Sequence, residues 1–197
     1  MQRTYSRIKN GDSMKIAALG DSLTYGWMAE RGYIDCFREM FQKKYPSVPL
    51  SIIKSGVPGS TAEEGLSRLK LDLISKNPDL FFVQFALNDA YMGYTPEDFH
   101  ANILKIVKAI KNNTDADILI LTSVTMNNEH EDFYIEKYYE KLEDISKSES
   151  TGLVQVHAYW KKKINEGADF ECLVQDDRVH PTEKGYIFMA EAIMEVF

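Results

Sequence analysis

Short, almost uninterrupted apolar runs alternate along the chain with longer stretches in which apolar residues recur every three or four positions. Residues 14–19 are apolar apart from Lys15, the composition of a strand buried on both faces of a parallel sheet. Similar runs at residues 50–53, 80–85 (broken only by Gln84), 118–124 and 153–156 predict four more strands. Between them, Ile34, Phe37, Met40 and Phe41 share a helical face that ends near Tyr45 and Pro46. Leu66, Leu69 and Leu73 mark a second helix, opened by the capping box Thr61-Ala62-Glu63-Glu64. Phe99, Ile103, Ile106, Val107 and Ile110 mark a third, opened by Thr95-Pro96 with proline where no N–H is needed. Residues 133 to about 147 read as a charged amphipathic helix, and residues 182–196 as a last helix packed through Ile187, Ala190 and Ile193. This alternation, with no internal repeat or interdomain linker, predicts an α/β fold: a doubly wound, five-stranded parallel sheet between two helical layers. Right-handed crossovers then bring the carboxyl ends of all strands to one edge. Residues 14–197 form one domain in this reading, and residues 1–13 an N-terminal extension without recognisable chemistry.

The chemistry gathers at that edge. The first apolar run breaks at Gly20-Asp21-Ser22-Leu23-Thr24-Tyr25-Gly26, putting Ser22 at a strand-to-helix junction, where open α/β sheets bind ligands and free N–H groups face an incoming anion. On its own the stretch fits a helix cap equally well. Far along the chain, Asp177-Arg178-Val179-His180-Pro181 offers a carboxylate three residues before an imidazole. A serine hydroxyl needs a base, and the base needs a partner that fixes its tautomer; Ser22, His180 and Asp177 are candidates for those roles.

Taken together, Gly20-Asp21-Ser22-Leu23, Gly56-Val57-Pro58-Gly59-Ser60-Thr61, Asn88-Asp89 and Asp177-x-x-His180-Pro181 resemble, in order, the sequence blocks of the GDSL, or SGNH, hydrolases. The resemblance implies the flavodoxin-like strand order 2-1-3-4-5, Ser22 as nucleophile, and Asp177 and His180 as its triad partners. It also implies an oxyanion hole made by the N–H groups of Ser22 and Gly59 and the Asn88 amide. Two positions depart from the pattern: Ala86 where the third block usually has glycine, and Lys54 where the second often has asparagine. The implied activity is a serine esterase working through an acyl-enzyme, with short acyl groups, acetyl first, on a small polar or carbohydrate alcohol. A lysophospholipase or thioesterase for longer chains is the alternative within that chemistry, and a binding module that keeps the fold without turnover the alternative outside it.

The remaining features narrow the choice. A chain of 197 residues suits one core, and a formal net charge of −7 argues against nucleic acid or an anionic membrane as the main partner. Cys36 and Cys172 do not make a disulfide framework, and no His, Cys or carboxylate spacing matches a metal site, so neither metal nor cofactor is expected. Residues 1–13 lack the apolar centre of a secretory signal, and no run reaches membrane-spanning length, which gives the cytoplasm as the expected location. His100 and His130 read as solvated, and His157, taken as the end of the fifth strand, as a structural hydrogen-bonding residue. Asp21, Trp27, Tyr91, Met126 and Val179 are the candidate substrate contacts, being next to the proposed catalytic residues or on loops at the functional edge.

Overall fold

The five apolar runs pair, all parallel, into one sheet in the order β2-β1-β3-β4-β5. The computed structural model describes residues 1–197. The strands are β1 (Met14–Gly20), β2 (Leu50–Gly56), β3 (Leu80–Gln84), β4 (Asp117–Leu121) and β5 (Gly152–Val154). The helices are α1 (Gln2–Asn10), α2 (Ser22–Tyr25), α3 (Tyr33–Lys44), α4 (Ala62–Asp72), α5 (Leu87–Tyr91), α6 (Pro96–Asn113), α7 (Glu129–Glu149), α8 (Val156–Asn165) and α9 (Glu183–Met194).

Because successive strand side chains point to opposite faces, each apolar run serves two cores at once. Ile16, Ala18, Leu80, Phe82, Leu119 and Leu121 pack with Phe37, Phe41, Trp160, Tyr186, Met189 and Ile193 from α3, α8 and α9. Ala17, Leu19, Phe81, Val83, Ile118 and Ile120 pack on the other face with Leu69, Phe99, Ile103, Ile106, Tyr138 and Leu142 from α4, α6 and α7. The three-layer domain follows directly. No helix is long and apolar enough to cross a membrane.

Several boundaries differ from the sequence reading. The edge strand β2 runs on to Gly56: Lys54 and Ser55 pair with Ala18 and Leu19, and an edge strand tolerates such polar residues. α7 begins at Glu129, four residues early, because the Asn128 side chain accepts from the N–H groups of His130 and Glu131 and caps the helix. β5 stops at Val154, and the residues read as its end open α8, where Val156 and Trp160, four apart, are the buried pair. His157 is therefore on a helix, not at a strand end. Its ring meets the Thr122 hydroxyl at 3.0 Å and lies 4.6 Å from the Tyr139 ring, and burial, helped by Lys161, pushes its pKa down to about 4.

Residues 2–10 form α1, docked at the sheet edge opposite Ser22. The N–H and hydroxyl of Thr4 both donate to Asp117 at 2.7 Å, and Arg7 meets Asp79 at 2.9 Å.

Candidate active site

β1 ends at Gly20 for a steric reason. A Cβ there would lie 2.1 Å from the Thr24 hydroxyl and 2.7 Å from the Gln84 carbonyl oxygen, so glycine alone lets the chain fold back into the single turn of α2. Asp21 caps that turn by accepting from the Leu23 N–H at 2.8 Å, and Ser22 follows as its first residue. The Ser22 N–H, at a helix start, finds no acceptor within the chain.

Across the site, one carboxylate organises the turn before α9. Asp177 Oδ1 accepts the N–H groups of Val179 and His180, both at 2.9 Å, and Arg178 takes a left-handed φ of 60° to close the turn. Asp177 Oδ2 is then 2.6 Å from His180 Nδ1, and His180 Nε2 is 2.9 Å from Ser22 Oγ. Facing a carboxylate, Nδ1 carries the proton, which leaves Nε2 as the acceptor for the serine hydroxyl. Burial alone would raise the Asp177 pKa, but the His180 and Val179 bonds outweigh it and hold it below the ordinary carboxylate value. Asp176 is exposed and makes no bond to His180.

The opposite wall comes from the ends of β2 and β3. Gly59 has φ 79°, a conformation that favours glycine, and no group in the chain accepts its N–H. The Asn88 amide donates one hydrogen to the Ser60 carbonyl at 3.0 Å, which ties α5 to the Gly59 loop and leaves its second hydrogen for another acceptor. Asp89 Oδ1 adds a second tie by accepting from the Ala62 N–H at 3.0 Å, and burial pushes its pKa up to about 6. Arg68 supplies a third, reaching Ser60 Oγ at 2.6 Å and the Gly20 carbonyl at 2.8 Å. Ala86 stands at φ 146°, a conformation that strains an alanine and accounts for the glycine usual there. Lys54, in the asparagine position, turns to Asp35 at 2.8 Å.

Below Ser22 lies a polar network the sequence reading missed. Gln84 donates to Asp21 Oδ2 at 3.1 Å and to Ser123 at 3.0 Å, and accepts from Thr24 at 2.9 Å; Thr24 in turn meets the Tyr33 hydroxyl at 3.0 Å. The available signal was Gln84 itself, the polar residue inside an apolar run. Arg68, on the polar side of its helix, gave none.

This network corrects one candidate contact. Asp21 is 1% exposed, with its carboxylate turned inward to Leu23 and Gln84, so it supports the serine turn and does not line the mouth. Burial pushes its pKa up to about 7 against those two bonds. Folded Asp21 thus keeps a proton that the unfolded chain releases near the ordinary 3.8, so its contribution to stability declines as pH rises across that window. Asp21→Asn keeps an acceptor for Leu23 and removes the charge. Urea unfolding of both proteins at about pH 5 and about pH 8 should show the wild-type midpoint falling relative to that of the variant.

The other candidate contacts are at least partly exposed. Trp27 is 42% and Tyr91 90% exposed. Tyr91 and Met126 border a mainly apolar groove of about 260 Å³ with Leu87, Ala90, Tyr134 and Ile135, lined also by His130 and Glu131, beside Asn88. Val179 is half-buried, and its N–H helps to close the Asp177 turn.

A family model described as the GDSL-like lipase/acylhydrolase family matches residues 18–187. An arylesterase from Vibrio mimicus is 23% identical over 194 residues, covering 93% of this chain and 88% of the relative. The thioesterase 1/protease 1/lysophospholipase L1 of Escherichia coli (strain K12) is 23% identical over 176 residues, covering 88% and 78%. Among solved structures, an acetylxylan esterase from Geobacillus stearothermophilus superposes with a TM-score of 0.83 at 20% identity, covering 92% of this chain and 93% of that one. A two-domain esterase active on acetylated mannans gives 0.84 at 22%, covering 99% of this chain and 52% of that protein. At such identities the solved structures share the fold.

Proposed function

The chain belongs to the GDSL-like lipase/acylhydrolase family and is an ester hydrolase of that kind, and from this premise we propose that it cleaves short-chain esters, acetyl first, through an acyl-Ser22 intermediate. The observation that carries this reading is the continuous line from Asp177 Oδ2 to His180 Nδ1, 2.6 Å, and from His180 Nε2 to Ser22 Oγ, 2.9 Å. His180 takes the hydroxyl proton as Ser22 attacks the ester carbonyl carbon, and Asp177 stabilises the resulting imidazolium. The carbonyl oxygen, now anionic, lies against the free N–H groups of Ser22 and Gly59 and the second Asn88 amide hydrogen. Collapse expels the alcohol, which leaves with the proton from His180. Water then repeats the cycle on the acyl-serine and releases the acid.

Acetyl esters of a small polar or carbohydrate alcohol are the substrates this reading favours, in keeping with the acetylated polysaccharides on which two of the structural neighbours act. The apolar groove bordered by Leu87, Tyr91 and Met126 favours a second reading, a longer or aryl acyl group laid along it. A panel of p-nitrophenyl esters of increasing acyl length, run beside acetylated sugars, separates the two. The highest kcat/KM on acetate supports the first reading, a maximum at longer chains supports the second, and turnover of none supports a binding module.

Asn88 gives a sharper test of the oxyanion hole. Asn88→Ala should lower kcat by on the order of 10²–10³-fold with little change in KM, because its bond strengthens only as charge develops. Were Asn88 only a tie to Ser60, the variant would lose stability and substrate affinity together while kcat stayed within a few fold.

A further inference from the structure

We infer that residues 25–28 form the subsite for the departing alcohol and that this subsite takes the flat apolar face of a ring. The inference rests on the acyl-transfer reading above and adds the side on which each half of the ester lies.

The three substituents of the attacked carbonyl carbon point in different directions. Its oxygen turns to Gly59 and Asn88, and the alcohol oxygen must come within reach of His180 Nε2 to receive a proton. The alcohol therefore leaves on the His180 side of Ser22. Residues 25–28 are built into that side. The Trp27 N–H donates to the Ser22 carbonyl at 3.0 Å, and the Trp27 carbonyl accepts from the Tyr186 hydroxyl of α9 at 3.1 Å. Gln175 donates its side-chain amide to the Met28 carbonyl at 3.1 Å and its N–H to the His180 carbonyl at 2.7 Å, so one residue clamps this segment and the histidine turn together. Met28 is held at φ 63°, a strained conformation for a methionine, within this clamp. Tyr25 also overlies the end of β2, where a Cβ on Gly56 would come 2.3 Å from its nitrogen. The apolar groove beside Asn88 lies at the ends of β3 and β4, on the other flank of β1.

The backbone of this segment is fixed, yet its large side chains stay about half exposed. Tyr25 and Met28 are each 55% and Trp27 is 42% exposed, and the Tyr25 and Trp27 rings meet at 6.0 Å, inclined at 53°. The four residues Tyr25-Gly26-Trp27-Met28 carry no charge, and Arg31 nearby is engaged by Glu39 and Glu183. A rigid, uncharged, aromatic surface beside the proton donor suits stacking against a ring and offers nothing to an ionic headgroup. An aryl alcohol and the C–H face of a pyranose share that chemistry.

The test holds the acyl group constant. Ethyl acetate, phenyl acetate and an acetylated methyl xyloside all give the same acetyl-enzyme, so their differences in kcat/KM report only the alcohol. In Trp27→Ala, the ratio of kcat/KM for a ring ester to that for ethyl acetate should fall about tenfold from wild type, with Trp27→Phe recovering most of it. The ester whose ratio falls further identifies the ring as aryl or pyranose. Tyr25→Ala serves as a second variant if Trp27→Ala does not fold. Ratios unchanged within about twofold for both ring esters would overturn the assignment. Failure of the underlying reading looks different: the wild-type protein would then hydrolyse none of the three acetates.

Discussion

Ser22→Ala should lower kcat by about 10⁶-fold, to the limit of detection, while the protein stays folded. The Ser22 hydroxyl has one partner, His180 Nε2 at 2.9 Å, and holds no other part of the structure together. The α2 cap is made by the Asp21 side chain, which the substitution leaves in place, and alanine suits the first position of a helical turn. Stability should therefore change by no more than about 0.5–1 kcal/mol, the usual effect of a substitution that leaves no cavity or unpaired buried group. An active-serine phosphonate should label the parent protein and leave the variant untouched. Labelling of the alanine variant at another residue would move the nucleophile elsewhere.

Asp177→Asn should cost up to about 10⁴-fold in kcat, and Asp176→Asn next to nothing. The two aspartates are neighbours of equal charge, so a long-range electrostatic effect would touch both alike. Only Asp177 closes the turn through Val179 and His180 and meets Nδ1 at 2.6 Å. An asparagine can still accept those two N–H bonds with its carbonyl oxygen, so the turn survives. Its amide, however, is a donor where Nδ1 needs an acceptor, and the imidazole must then place its proton on Nε2, against the serine hydroxyl. The base is lost while the geometry remains. The pH dependence follows from the depressed Asp177 pKa: the carboxylate's contribution is present above the ordinary aspartate value and is lost only as pH falls through the lower, folded-state value. Equal losses at Asp176 and Asp177, measured as kcat on p-nitrophenyl acetate, would leave the assignment unsupported.

Much of the fold is legible because buried parallel strands have so little freedom of composition. Residues 80–85 are read as a strand from their apolar run, one residue longer than β3, and in the sheet Phe82 and Phe81 fill opposite cores. The order 2-1-3-4-5 came with the family resemblance, since periodicity says nothing about which strands are neighbours, and the sheet has that order. Boundaries were harder where tertiary contacts decide them. Val156 extends an apolar run in sequence, but burying it together with Trp160 makes that segment a helix. The apolar stripe of α7 does not show its first turn, which is set by the Asn128 side chain capping the helix from outside.

At the site, the residues named from sequence are those at breaks in the pattern: Ser22 and Asn88 after strands, Gly59 at a left-handed turn, Asp177 and His180 in a short loop. The residues that hold them were hidden in regular elements. Gln84 lies within β3, marked only as the polar residue of an apolar run, and Arg68 within α4, where no local rule distinguishes a polar residue that reaches inward from one that reaches water. Likewise, the proximity of Asp21 to Ser22 in sequence does not say to which side of the turn its carboxylate points, and it points inward.

The most direct test is to quench the protein with acid during the first turnovers of p-nitrophenyl acetate and locate any acetyl group by peptide mass spectrometry. Acetyl on the peptide containing Ser22, at the serine, appearing with a burst of p-nitrophenol, is the expected result. Acetyl on another side chain, or steady hydrolysis in which the Ser22→Ala variant remains as active as the parent, would contradict it.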